Sequence, residues 1–167
     1  MTFIDNYSRK LWALMMKSKD QVLSVFKKFD VRIEREPKQK LKAIKTNNGD
    51  EYRGQFEQHC KSLGIKLEYT MSKTPEMNGL VERMNKNMMD RVRSMLSHAK
   101  LLKSYWAEAM MMACLSHNHA PSVPLNGIVT QRVWTRRNVS NQHLRVSECL
   151  AYMHVAKDQR SKLDSKS

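Results

Sequence analysis

Two hydrophobic periodicities succeed one another along this chain, and their order restricts the fold. Thr2–Ile4 and Leu11–Met16 are short apolar runs of strand type, separated by the turn-forming stretch Asp5–Asn6–Tyr7–Ser8–Arg9. Together they predict a hairpin. Val22, Val25, Phe26, Phe29 and Ile33 then recur at helical spacing, predicting a helix opened by Ser18 or Asp20, running to about Arg35 and closed by Pro37. Leu41–Ile44 reads as a strand, Gln55–Leu63 as a helix stopping at Gly64, and Ile65–Tyr69 as an alternating strand. After a loop over Thr70–Glu76, a long helix is expected from about Asn78 to Ala99, burying Val81, Met84, Met88, Val92 and Met95. A further helix, about Ser104–Asn118, contains Trp106. The order strand, strand, helix, strand, helix, strand, helix, helix predicts a mixed α/β sheet with helices on its faces.

Regularity falls off after Asn118. Pro121 and Pro124 mark a linker, Ile128–Trp134 a short helix, Leu150–Val155 a strand, and Lys157–Ser167 a charged, frayed tail. The chain contains no internal repeat and no low-complexity tract.

With 167 residues, the sequence is long enough for one substantial core. Its 30 Lys and Arg outnumber 16 Asp and Glu, a net charge of +14 that points to a polyanionic partner, nucleic acid foremost. Three widely spaced cysteines, Cys60, Cys114 and Cys149, argue against a disulfide scaffold and for a reducing compartment. The first residues lack the layout of a signal peptide, and no apolar run approaches the roughly 20 residues that span a bilayer. The expected setting is intracellular, in nucleus or cytoplasm, without secretion and without a membrane or small-molecule partner.

Candidate chemistry centres on two motifs, K-T-N-N-G-D-E-Y at Lys45–Tyr52 and T-P-E-M-N-G-L-V-E-R at Thr74–Arg83. With F-I-D-N-Y-S-R at Phe3–Arg9, G-I-K at Gly64–Lys66, K-S-Y-W-A-E-A at Lys103–Ala109 and H-L-R-V-S-E-C at His143–Cys149, they stand in the order found in the catalytic core of copia-type retrotransposon integrases. The chain resembles that family over nearly its whole length. The resemblance implies a ribonuclease H-like mixed sheet with flanking helices, and an ancestral reaction that cuts and joins DNA using Mg2+ or Mn2+. It divides the chain into a partial catalytic core, residues 1–120, and a C-terminal extension of that core, residues 121–167. The family's first catalytic aspartate lies upstream of a stretch like T-F-I-D-D-Y-S-R. This sequence begins inside that stretch, so a core without its first strand and first aspartate is expected.

The second family aspartate falls at Asn47, and the family glutamate is kept as Glu82. Two closely spaced divalent ions need anionic oxygen ligands, and asparagine offers one neutral carbonyl oxygen instead. Glu82 is thus the remaining candidate metal ligand, and productive binding of Mg2+ or Mn2+ is not expected. Asp50 stands where the family has glycine, three positions beyond Asn47, past the strand end and directed elsewhere. Asp5 is read as a turn residue. Ser147 and Glu148 replace a family Phe-Gly pair, and Glu148 suits a core strand poorly.

Lys73, Asn78, Arg83, Lys86, Arg91 and Arg93 are the candidate nucleic-acid contacts, able to hold phosphates without reading bases. Each alone reads equally well as a solubilising surface residue. Arg132, Arg136 and Arg137 form a second basic group, and Lys38, Lys40, Lys42 and Lys45 a third. Tyr52 and Tyr69 are read as packing residues rather than base-stacking ones. Cys114, His117 and His119 lack the second ligand pair of a zinc site. The reading is an integrase core fragment, catalytically inactive here, with DNA as partner and self-association as in related integrases. The alternatives are a nonenzymatic nucleic-acid-binding remnant and a nonfunctional unfolded fragment.

Overall fold

The computed structural model describes residues 1–35, 40–47, 49–70, 75–142 and 144, with the backbone alone for 75–78. Pro37, Lys38, Lys73, His143, the segment with Ser147, Glu148 and Cys149, the strand anticipated at Leu150–Val155 and the tail lie outside them.

The hairpin forms as expected but is shorter. β1 (Thr2–Ile4) pairs antiparallel with β2 (Leu11–Ala13), with Phe3 opposite Trp12. Its turn is closed from within. The Asp5 amide donates to the Lys10 carbonyl and the Arg9 amide to the Asp5 carbonyl, both at 2.9 Å. The Ser8 amide and Ser8 hydroxyl both donate to Asp5 Oδ2, at 2.6 and 2.7 Å. Arg9 takes φ 60°, the left-handed conformation this tight return requires.

α1 (Val22–Arg35) follows a 3₁₀ turn at Lys19–Gln21. Ser18 precedes that turn without a side-chain capping bond, so neither Ser18 nor Asp20 caps α1 in the expected way. Four of the five stripe residues, Val22, Phe26, Phe29 and Ile33, are buried, and Val25 is half-buried. Phe29 stacks on Phe3 at 4.5 Å and meets Trp12 edge-on at 5.5 Å, while Phe26 packs on Phe56 at 4.9 Å.

β3 (Ala43–Thr46) and β4 (Lys66–Tyr69) are parallel and joined through α2 (Gln55–Ser62), the crossover that parallel pairing requires. Gly64, at φ 71°, turns the chain from α2 into β4. Ile44 and Ile65 bury against the α1 core, with Leu67 partly buried beside it, whereas Ala43, Lys45, Lys66 and Glu68 face solvent. Among the described residues the strands form two separate pairs, not one continuous sheet. α1 links them, carrying Phe3 and Ile44 in one apolar core.

α3 runs Pro75–His98, three residues earlier than its periodicity suggested, and α4 Trp106–His119. They cover the other face of the hairpin. Leu11 is fully buried among Met88 and Val92 of α3 and Met110, Ala113 and Cys114 of α4. Val81, expected in the stripe, is 40% exposed, because the buried contacts of α3 begin at Met84, a turn further on.

The supposed linker at Pro121 and Pro124 is ordered. Pro121 bridges Val129, a 3₁₀ turn spans Val123–Leu125, and α5 (Thr130–Thr135) returns to the core. There the Thr130 hydroxyl donates to the Asn118 carbonyl at 2.7 Å, and Trp134 meets Trp12 edge-on at 4.9 Å. No helix of the described residues is long and apolar enough to cross a membrane.

Candidate nucleic-acid interface and degenerate acidic site

Because β3 and β4 are parallel, their C-terminal ends lie on the same edge, the edge where parallel sheets commonly place ligands. Asn47 directly follows β3 there and is exposed. α3 begins at Pro75, five residues beyond Thr70, so Glu82 sits about two turns into it. Glu82 is exposed. One turn on, Asn85 Oδ1 accepts a 2.8 Å bond from the Thr2 hydroxyl, fixing this side of α3 against the start of β1.

Asp50 opens a 3₁₀ turn, Asp50–Tyr52. It lines an open cavity of about 450 Å³ with Lys19, Asp20, Glu51 and Arg53, toward the start of α1 and without a residue of α3. Lys19 Nζ lies 3.7 Å from Glu51 Oε1 across it. Asp5 is spent on its turn. Tyr52 and Tyr69 are engaged in packing, as anticipated: Tyr69 donates to the Tyr52 carbonyl at 3.1 Å, and the Tyr52 ring meets Phe56 at 5.4 Å.

A pair of divalent ions does not fit this donor set. Asn47 is neutral at the strand end, Glu82 is a single carboxylate, Asp50 lines a cavity without a residue of α3, and Asp5 is engaged by Ser8. Among the described residues no three His, Cys, Asp or Glu side chains gather in a group able to hold a metal ion. Cys114 and His117 lie in the core between α4 and the hairpin. The Cys114 thiol donates to the Leu11 carbonyl at 3.1 Å. Burial, with Arg91 nearby, holds the His117 imidazole below its ordinary pKa, against an opposing bond to the Arg9 backbone.

What the site does present is positive charge. Arg83, Lys86, Arg91 and Arg93 are all exposed along α3. Lys86 and Arg93 lie on the face of Glu82 by helical spacing, Arg83 lies beside it, and Arg91 flanks the buried stripe. Arg93 Nη1 donates to Asp90 Oδ1 at 2.7 Å, an exposed i,i+3 pair of little energetic consequence.

Sequence reasoning missed one structural device. The Asn118 amide grips β2 as a neighbouring strand would, with Oδ1 accepting from the Leu11 amide at 2.9 Å and Nδ2 donating to the Leu11 carbonyl at 2.7 Å. A buried asparagine near a helix end carries no local signal for a partner 107 positions away.

No family model matches the chain. It is 51% identical over 168 residues to the retrovirus-related Pol polyprotein from transposon TNT 1-94 of Nicotiana tabacum, covering 100% of this chain and 13% of that polyprotein. It is 29% identical over 167 residues to the corresponding polyprotein from transposon RE1 of Arabidopsis thaliana, covering 99% and 11%. The chain therefore spans only about an eighth of these two polyproteins. In structure it is similar to a chain of the simian T-cell lymphotropic virus intasome in complex with PP2A regulatory subunit B56 gamma. There the TM-score is 0.66 at 20% identity, over 93% of this chain and 53% of that one. It is also similar to the HTLV-2 integrase catalytic core domain in complex with magnesium, with a TM-score of 0.61 at 21% identity over 79% and 81%. Likeness at these identities carries the fold, a mixed α/β core flanked by helices.

Proposed function

From the premise that this chain is a ribonuclease H-like integrase catalytic core of the retrotransposon Pol type, we propose that it binds DNA through α3 without metal-dependent strand transfer of its own. The observation that carries this reading is the exposure of Arg83, Lys86, Arg91 and Arg93 along α3, in a chain whose β3 end carries the neutral Asn47. Guanidinium and ammonium groups on one helix hold phosphates and displace counterions, irrespective of sequence. Lys73 and Asn78, close before them in the chain, belong to the same proposed contact.

Ancestral chemistry would use Mg2+ or Mn2+, as the complex of the HTLV-2 core with magnesium suggests. A pair of such ions, held by carboxylates, would supply positive charge to the attacking and leaving oxygens. Asn47 withholds a negative charge from such a pair, while Glu82 is kept as a ligand of the inherited set. Self-association, as in the trimeric form of that core, is part of the same proposal.

The test is end cleavage and strand transfer on short duplex DNA with either metal, beside duplex binding. The expected result is binding that weakens with salt, is indifferent to magnesium and falls in Arg83→Ala and Lys86→Ala, with no joined product. Joined product that disappears in Glu82→Gln would overturn the assignment of Asn47 and require another ligand, Asp50 first.

A further inference from the structure

The hairpin turn and α5 wall an open cavity of about 570 Å³, which α3 does not line. That volume falls within the range of small-ligand sites, roughly 300–1,000 Å³. Tyr7, Asp5, Ile128, Arg132, Trp134 and Arg136 are among its walls. The combination is unusual in two ways.

First, its aromatic surface is split between a fixed and a free ring. Trp134 is held edge-on to Trp12 at 4.9 Å, with the Lys10 ammonium 5.3 Å from its ring centre. Tyr7, by contrast, is 81% exposed at the tip of the turn. A flat ring left in water beside a cavity is a stacking platform, one that any base can use because every base has a π face.

Second, two guanidinium groups stand one helical turn apart, Arg132 within α5 and Arg136 at its end. Among the described residues neither takes part in an ion pair. Arg136 closes α5 at φ 55°, the left-handed conformation in which many helices end, its amide donating to the Arg132 carbonyl. At the opposite wall the Asp5 carboxylate, with one oxygen occupied by Ser8, repels phosphate but accepts from amino or hydroxyl groups. The cavity is thus polarised, cationic at α5 and anionic at the turn.

We propose that this cavity takes one nucleotide of a single-stranded nucleic acid. The base lies on Tyr7, its donor groups turn toward Asp5, and the phosphate sits between Arg132 and Arg136. A base inside a duplex has no free face to offer Tyr7, so the site prefers unpaired strands. The inference rests on the nucleic-acid reading above but uses different residues.

Fluorescence anisotropy with a labelled single-stranded oligonucleotide and the matching duplex tests it, with an unlabelled mononucleotide as competitor. Tyr7→Ala is expected to weaken single-strand binding about tenfold, the loss of one base–aromatic stack, and to leave duplex binding unchanged. Arg132→Ala and Arg136→Gly should act in the same direction. Glycine accepts the backbone conformation at position 136, so Arg136→Gly removes the charge without a folding penalty. Single-strand affinity within about twofold of the parent in all three variants would overturn the proposal. So would equal losses for both DNA forms, or a mononucleotide that competes as well as the strand. If Arg83→Ala and Lys86→Ala leave duplex affinity intact while Tyr7→Ala weakens the single strand, the α3 reading fails and the cavity stands. The reverse pattern leaves α3 standing and removes the cavity.

Discussion

Asp30 shows how a single side chain sets a pH dependence. It is buried on α1 with Oδ1 unpartnered. Burial first, and Glu34 second, push its carboxyl above the ordinary value, with His59 opposing. A raised folded-state pKa means that the folded protein favours the protonated acid while the unfolded chain ionises at the ordinary value. Stability is therefore lost as pH climbs from the unfolded pKa through the folded one. Asp30→Asn should raise Tm at neutral pH, with the advantage shrinking as pH falls toward about 4. A gain that instead grows in acid would contradict this. Cys60, next to His59, has its thiol pushed up to about 11 by burial and by Asp30, and Cys114 is raised mainly by burial. Both should resist iodoacetamide at about pH 8 in the folded protein and react on denaturation, since the thiolate is the nucleophile. Asn118→Ala strands the amide of Leu11 in an apolar setting, while the Leu11 carbonyl keeps the Cys114 thiol as donor. At about 1–3 kcal/mol for an orphaned group, urea denaturation should report a loss of that size.

At the scale of elements, α1 does the work that a shared backbone ladder would otherwise do. The hairpin and the β3–β4 pair meet through Phe3, Phe26, Phe29, Ile44 and Phe56. Phe26→Ala should cost about 3–5 kcal/mol by chemical denaturation, the usual range for emptying a fully buried phenylalanine site. The α1 stripe was legible because four of its apolar positions fall on one helical face, and the same holds for Met88 and Val92 of α3. Strand ends were less legible. Met15 and Met16 continue the apolar run of β2 but pack against the cores instead of pairing with a strand, and sequence does not separate those two fates. Val81 fits the α3 stripe but lies before the helix reaches its neighbours. The site was legible in a different sense. Asn47 and Glu82 stand out through the order of motifs around them, while in structure both are exposed side chains with no feature that sets them apart.

For the whole molecule, the excess of +14 governs how it meets a polyanion. Log affinity for duplex DNA should fall linearly with log salt, and each α3 cation removed should flatten that slope by about one unit. Arg83→Ala and Lys86→Ala, titrated across salt concentrations, read this directly. A slope unchanged in both would place the phosphates elsewhere on the surface. The pairing of Trp12 with Trp134 brings together parts of the chain more than a hundred positions apart, at 4.9 Å and nearly at right angles. Two indoles so close are coupled chromophores, and their exciton signal in circular dichroism exists only while α5 is seated on the hairpin. The protein thus contains an optical gauge of its own closure, readable without any label, that goes dark when residues 130–135 lift away even if α1 and its core remain intact.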